Sequence, residues 1–304
     1  MPADLVIGVD LGGTKIAAGA VDRGGAITTR RERPTPTSSQ QELLSVLDGV
    51  VEQVSAEVGG VHALGFGIPS TIDQRSGRAV SSVHIPLAEL DFRARMEERF
   101  GLPVAIDNDG NAAAIAEWQL GAGAGTRDMI MLTLGTGIGG GLILDGKPYR
   151  GSVGAGAELG HMVLKYDGPT CVGDCPGRGH FEALVSGTAA DAVARSVLGP
   201  DATGHDLVRR ASDGDARARE ALDGLGRILG AGIASLVNVF NPELIVLGGG
   251  FGKAGEPLFA PAREVVAREA LSPGRELVRI VPAELGAEAG LVGAGLIAFE
   301  AFDR

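Results

Sequence analysis

An α/β fold made of two similar domains is the architecture this sequence predicts, and three observations predict it. Strands alternate with helical segments after an opening hairpin, the order from which sheets flanked by helices are built. One unit of strand, glycine loop, strand and turn occurs twice, as "VIGVDLGGTKIAAGAVDRGG" from Val6 and as "MIMLTLGTGIGGGLILDG" from Met129. A shift of 123 residues lays Leu11 on Leu134, Gly12 on Gly135 and Asp22 on Asp145. At 304 residues the chain is long enough for two ordinary domains.

The elements follow in order. After the first hairpin, "SQQELLSVLDGVVEQVSAEV" has helical periodicity, and "ALGFGIP" is a strand ending at Pro69. "LDFRARMEERFG" is a helix closed by Gly101, "PVAIDND" a strand and "NAAAIAEWQLG" a helix. Beyond the second hairpin, Gly156 to Glu182 is rich in Gly, Cys and His and reads as irregular. "DARAREALDGLGRILGAGIASLVNVF" is a long helix that Asn241-Pro242 stops. "ELIVLGGG" is a buried strand, and "EAGLVGAGLIAFEAF" a final helix.

A net charge of −11 argues against a nucleic-acid partner, since phosphate binding needs a basic footprint. "MPADLVIGVD" lacks the basic start of a signal peptide. The longest apolar runs reach about 13 residues, short of the roughly 20 that span a bilayer, so no membrane is expected. Two cysteines, Cys171 and Cys175, form no disulfide framework and suit a reducing, cytoplasmic setting.

Gly135, Gly137 and Gly140 have the G-x-G-x-x-G spacing of a dinucleotide turn, which requires a helix directly behind it. Here "GLILDG" follows instead, and Asp145-Gly146 signals a hairpin. That weakens a nicotinamide-dependent oxidoreductase and leaves a glycine loop whose backbone N–H groups cradle an anion. No P-loop motif is present. In "DLGGTK", Gly12 and Gly13 offer N–H groups to a phosphate, Lys15 a charge, and Asp10 a hold on Mg²⁺ through water. Alone, this stretch is equally well a hairpin whose Asp caps a turn; paired with the second loop, phosphate binding is favoured.

Asp107, Asn108 and Asp109 end a strand and precede a helix. They are ordinary helix caps, or ligands at a strand's carboxyl end, where a carboxylate can take a proton from an attacking hydroxyl. His161, Cys171, Cys175 and His180 are spaced by 10, 4 and 5. Such a set is either a closed tetrahedral zinc site or two thiols beside two surface imidazoles, and the gathering of rare residues favours zinc. Glu158 and Glu182 flank the cluster as surface charges or as acceptors for hydroxyls.

In this order, "DLGGTK", "GIPSTID", "DNDGNAAA", "LGTGIGGG", "ELGH" and the Cys/His loop resemble the ROK family, and within it the glucokinase-type sugar kinases. The resemblance implies a two-domain actin-like, ribonuclease-H-like fold with the active site in the cleft between the domains. Residues 1–118 would form a smaller domain, 119–287 a larger one, and a final helix in 288–304 would return to the first. It implies ATP-dependent transfer to the 6-hydroxyl of a hexose, with Mg²⁺ and a structural Zn²⁺. Asp109 would be the general base. Asn108, Glu158, His161, Glu182 and Gly67 would meet the sugar. Gly12, Thr14, Gly135, Thr136 and Gly137, with Asp10, Gly13 and Lys15, would line the phosphates, and Gly249 the adenosine. His161, Cys171, Cys175 and His180 would hold zinc.

The expected partners are a hexose, a nucleotide and further copies of the chain. Other hexoses (fructose, mannose, N-acetylhexosamines) and a non-catalytic sugar sensor are the alternatives. The chain departs from the family pattern in three places. The family's zinc loop runs C-x-C-G-x-x-G-C-x-E, whereas here three residues separate the two cysteines and His180 takes the third cysteine's place. Ser70 follows Pro69 where Gly is common, and Gly110 replaces Ala.

Overall fold

The computed structural model describes residues 4–82, 85–173 and 175–303; the first three residues, which open the expected first domain, residues 83–84 and 174 within the expected domains, and Arg304, which ends the expected final helix, lie outside them. The chain opens on β1 (Val6–Leu11), β2 (Lys15–Val21) and β3 (Ile27–Pro34), an antiparallel meander. Helix α1 (Gln40–Val58) follows. It starts where the Ser39 side chain accepts from the Glu42 N–H and ends at Gly59, whose φ of 74° stops the helix. Leu43, Leu47, Val50 and Val54 recur along one buried stripe that packs on β2 and β3.

Next come β4 (Leu64–Ile68), the short hairpin β5 (Thr71–Asp73) and β6 (Arg78–Ser81), α2 (Phe92–Phe100), β7 (Val104–Asn108) and α3 (Asp109–Leu120). The predicted helix after the Asp-Asn-Asp stretch therefore begins at Asp109 itself, with Asn108 as its cap.

The second half repeats the pattern with β8 (Met129–Leu134), β9 (Ile138–Leu144) and β10 (Lys147–Tyr149). Among its described residues, the expected irregular stretch contains only a turn of 3₁₀ helix at Leu159–His161 and the start of α4 (Phe181–Val185) as helix. Then follow α5 (Gly187–Leu198), α6 (Gly204–Ser212), α7 (Ala216–Phe240), β11 (Leu244–Gly248), α8 (Gly249–Gly252), α9 (Glu256–Glu269), α10 (Gly274–Leu277), β12 (Arg279–Pro282) and α11 (Ala289–Phe302).

The two sheets share one topology. The first runs β3-β2-β1-β4-β7 and the second β10-β9-β8-β11-β12, each an antiparallel meander joined to two parallel strands. So β8 stands to β9 and β11 as β1 stands to β2 and β4, and the glycine loops β1–β2 and β8–β9 are equivalent. Strands β4 and β11 are buried along their whole length and read as continuous apolar runs, as interior parallel strands do. By length and composition α7 could cross a bilayer, but more than half of its most apolar stretch is buried, and it packs as a core helix against α9 and α6.

Helix α11 returns across the first sheet and lies against α3. Its approach is close: a Cβ on Gly65 would come within 1.9 Å of the Ala294 carbonyl oxygen. Glu117, fully buried on α3, fixes both passages between the halves. Its carboxylate accepts from the N–H of Ala122 (3.1 Å), which leads into β8, and from Glu284 (3.1 Å) and Leu285 (2.7 Å), which lead into α11.

Candidate functional site

The loop joining β1 to β2 is a tight turn in which Gly12 N–H donates to the Lys15 carbonyl at 2.9 Å. That N–H is spent within the hairpin, so the backbone donors this turn can offer a phosphate are those of Gly13 and Thr14. Thr35 braces the turn from outside, donating N–H to Thr14 and its hydroxyl to Gly12. Lys15 pairs at 2.8 Å with Glu32, a carboxylate that Arg30 also contacts.

The β8–β9 loop has the same internal economy. Gly135 N–H donates to Thr133 and Gly137 carbonyls, while Thr136 is exposed. The start of α5 supports this loop: Gly187 N–H donates to Gly135, and the Thr188 hydroxyl to Thr136. Gly249, which follows β11 and opens α8, has φ 83° and lies against the Leu134 backbone, beside the same loop.

Asp10 ends β1 behind the first loop, and α11 begins directly over it: a Cβ on Gly290 would lie 2.7 Å from its carboxylate. Burial, with Asp109 as the second cause, pushes the Asp10 carboxyl up to about 6, and Lys15 and Arg30 draw it back. A buried carboxylate near a strand end suits a hydrated Mg²⁺. Asp109 opens α3 next to it. Asn108 caps that helix, its Oδ1 accepting from Gly110 N–H at 2.9 Å, which leaves its Nδ2 for a ligand. Gly67, at the end of β4, lies against the Asp109 backbone.

Behind both sits Asp107, 1% exposed, held by Asn108 N–H, the Asn111 amide and Arg150. Arg150 and the hub role of Asp107 escape sequence reading, because a lone Arg after a strand carries no local signal.

Glu158 precedes the Leu159–His161 turn. Burial raises its carboxyl, His161 pulls it back, and Asp109 and Glu182 add smaller upward pushes. Asp10 pairs in register with Gly67, and a Cβ on Gly67 would lie 3.6 Å from the Asp109 Cα, so Asp10 and Asp109 are neighbours, while Glu158 lies within the electrostatic reach of Asp109 and Glu182. Such a concentration of acceptors suits a polyhydroxylated ligand and a cation better than an anion alone.

Glu182, on the first turn of α4, is buried, with both oxygens engaged. Oε2 accepts from Ile138 N–H at 3.1 Å; Oε1 lies 2.9 Å from the Cys171 sulfur and 3.6 Å from His161 Nδ1. It joins the second glycine loop to the Cys/His cluster. In that cluster the ligand atoms of His161, Cys171, Cys175 and His180 all lie within 4.8 Å of one another. The two Nδ1 atoms are 3.1 Å apart, and the nitrogen–sulfur separations run from 3.1 to 3.8 Å. Tetrahedral zinc, with bonds of about 2.0–2.1 Å to nitrogen and about 2.3 Å to sulfur, needs edges of roughly 3.3–3.8 Å. The donor set and its spacing are compatible with zinc. Binding through Nδ1 would leave Nε2–H of His161 to donate elsewhere.

The model of the ROK family matches residues 6–301. The chain belongs to the ROK family. A glucokinase from Streptomyces coelicolor is 35% identical, with 97% of this chain and 98% of the relative covered. The crystal structure of a ROK family glucokinase from Streptomyces griseus, in complex with glucose and AMPPNP, superposes with a TM-score of 0.86 at 35% identity, over 97% of this chain and 99% of that one. A ROK hexokinase from Thermus thermophilus gives 0.85 at 38% identity, over 99% and 100%. The chain accordingly has the two-domain actin-like sugar-kinase fold of these ROK proteins. The family is functionally mixed. An N-acetylmannosamine kinase from Shigella flexneri is 33% identical over 96% of this chain and 98% of its own. A ROK family transcriptional regulator, homologous to the E. coli MLC protein, superposes with a TM-score of 0.89 at 25% identity, and this chain covers 79% of it.

Proposed function

We propose that this ROK protein is an ATP-dependent hexose kinase that phosphorylates the 6-hydroxyl of glucose. The observation that carries the reading is the placing of Asp109 beside the first glycine loop, through Gly67, which pairs with Asp10 on one strand and lies against the Asp109 Cα, with the Glu158 carboxyl in the field of Asp109. As O6 attacks the γ-phosphorus, its proton passes to the Asp109 carboxylate and the bond from phosphorus to the ADP oxygen breaks. Gly13, Thr14, Thr136 and Gly137 N–H groups steady the phosphates, with Gly12 and Gly135 shaping the turns, Lys15 at the rim and Gly249 on the adenosine side. Asp10 would hold Mg²⁺, which screens phosphate charge when bound.

Asn108, Glu158, His161 and Gly67 line the sugar. Glu182 meets it with the lone pairs its protein contacts leave. His161, Cys171, Cys175 and His180 would hold zinc, which fixes the His161 tautomer and so the direction of its remaining N–H. The kinases of N-acetylated sugars in the family make those sugars the nearest competing substrates. A sugar-sensing regulator is the second reading, and the regulator among the structural relatives favours it. Coupled ADP release across glucose, mannose, fructose and N-acetylhexosamines, with ATP or polyphosphate as donor, tests both. Glucose-dependent ADP release supports the kinase; binding of sugar without turnover on any member of the panel supports the sensor.

A further inference from the structure

We propose that Arg150 is a positioning residue that holds the turn bearing Asp109 in register with the segment bearing Glu158. Two hydrogen bonds from one residue carry this. The Arg150 side chain donates Nε–H to Asp107 Oδ2 at 2.5 Å, and its main-chain carbonyl accepts from Gly156 N–H at 2.9 Å. Asp107 lies on β7, at the edge of the first sheet, two residues before Asp109; Gly156 lies two residues before Glu158. Arg150 itself directly follows β10, the outermost strand of the second sheet. One residue of the second half thus grips the base-bearing turn with its side chain and the sugar-side loop with its backbone.

The grip is well made on both sides. Asp107 is 1% exposed, and each carboxylate oxygen is used: Oδ1 by Asn108 N–H (2.8 Å) and the Asn111 amide (2.9 Å), Oδ2 by Arg150. The first two bonds shape the turn that aims Asn108 and Asp109; the third ties that shape to the other half. The loop after Arg150 is braced in turn on the β5–β6 hairpin, where Gln74 N–H donates to Val153 and the Arg75 guanidinium to Ser152. A buried carboxylate that loses its cation is left with an uncompensated charge, so the pair has a strong preference for staying closed. Arginine's planar fork fixes direction as well as charge, which a lysine ammonium does not.

The kinetic part of this proposal rests on the kinase reading; the structural part does not. The test compares wild type, Arg150→Gln and Arg150→Lys as full chains, by thermal melting, steady-state kinetics at a temperature where all are folded, and amide hydrogen exchange of residues 107–111. Arg150→Gln is expected to speed exchange at 107–111 and to lower kcat by about tenfold or more, as small misplacements of a reacting group do, with KM for ATP within about twofold. Arg150→Lys should recover part of both.

Unchanged exchange at 107–111 in folded Arg150→Gln overturns the proposal whatever the rates. Faster exchange with kcat within about twofold of wild type overturns it too, since the turn would then be anchored without consequence for the base. If wild type phosphorylates none of the hexoses, the kinase reading has failed separately, and the exchange measurement alone decides whether Arg150 holds the turn.

Discussion

Replacing Gly137 by alanine separates two reasons for a small residue in the second glycine loop. From the sequence, Gly137 reads as a residue kept small so that phosphate can approach the backbone. The structure supplies a different neighbour: a Cβ at 137 would lie 2.3 Å from Glu182 Oε2. An ordinary carbon–oxygen contact is about 3.4 Å, so the carboxylate must retreat by about 1 Å. Glu182 is buried and accepts from Ile138 N–H with that oxygen, while the other faces Cys171 and His161. Retreat strands the Ile138 N–H, at a cost of about 1–3 kcal/mol. For a chain of this size that is a fall in Tm of roughly 2–5 °C.

The displaced carboxylate also disturbs the Cys/His cluster and the sugar side, so KM for glucose should rise and zinc content fall, with KM for ATP changed less. Gly135→Ala in the same loop is the control, because its Cβ meets nothing nearer than 4.0 Å. The assay is KM for each substrate with metal content by mass spectrometry and a thermal melt. A Gly137→Ala protein with normal glucose KM, normal zinc and a raised ATP KM would refute this reasoning and restore the phosphate explanation.

The remaining predictions concern other parts of the molecule. Zinc stripped by a chelator should weaken glucose binding, measured by calorimetry, before it weakens nucleotide binding, and Cys175→Ser should mimic the loss; full activity without metal counts against the site. Glu117→Ala leaves three part-buried N–H groups without their acceptor and should cost about 2 kcal/mol or more, a drop of roughly 3 °C or more in Tm, whereas a shift under about 1 °C would mean the two passages are held elsewhere. The Arg209 guanidinium, then Thr203, hold the exposed Asp206 carboxyl well below its ordinary value of 3.8. A depressed folded value means that this stabilisation is complete above the unfolded value and is lost as pH falls through the folded one. Asp206→Asn should therefore flatten the acid limb of the Tm profile below pH 3.8, and an identical profile would contradict the capping-box role of that side chain.

What the sequence disclosed was mostly local. The strand, loop and strand units could be read because Asp145-Gly146 and the glycines announce their turns within a few residues, and α1 because its apolar stripe repeats every three or four positions. The Cys/His cluster was legible through the scarcity of its residues. Features that depend on distant partners were not. Asp107 meets Arg150 across 43 positions, and Glu117 meets Glu284 across 167. Nor could the motif alone tell which loop N–H groups are already used: Gly12 and Gly135 donate inside their own hairpins, which becomes visible only once the chain is placed. The reason for a glycine at 137 was likewise hidden, since Glu182 lies on a different element.

The central claim is that Asp109 takes the proton from a hexose 6-hydroxyl as the phosphate is transferred. Nuclear magnetic resonance of the product formed from glucose and Mg·ATP, by wild type and by Asp109→Asn at saturating sugar, tests it most directly. The account predicts glucose 6-phosphate from wild type, and a variant that still binds glucose but turns over about 10²–10⁴-fold more slowly, the loss typical of a missing general base. Absence of any 6-phosphate from wild type, or a variant retaining more than about a tenth of its turnover, would contradict it.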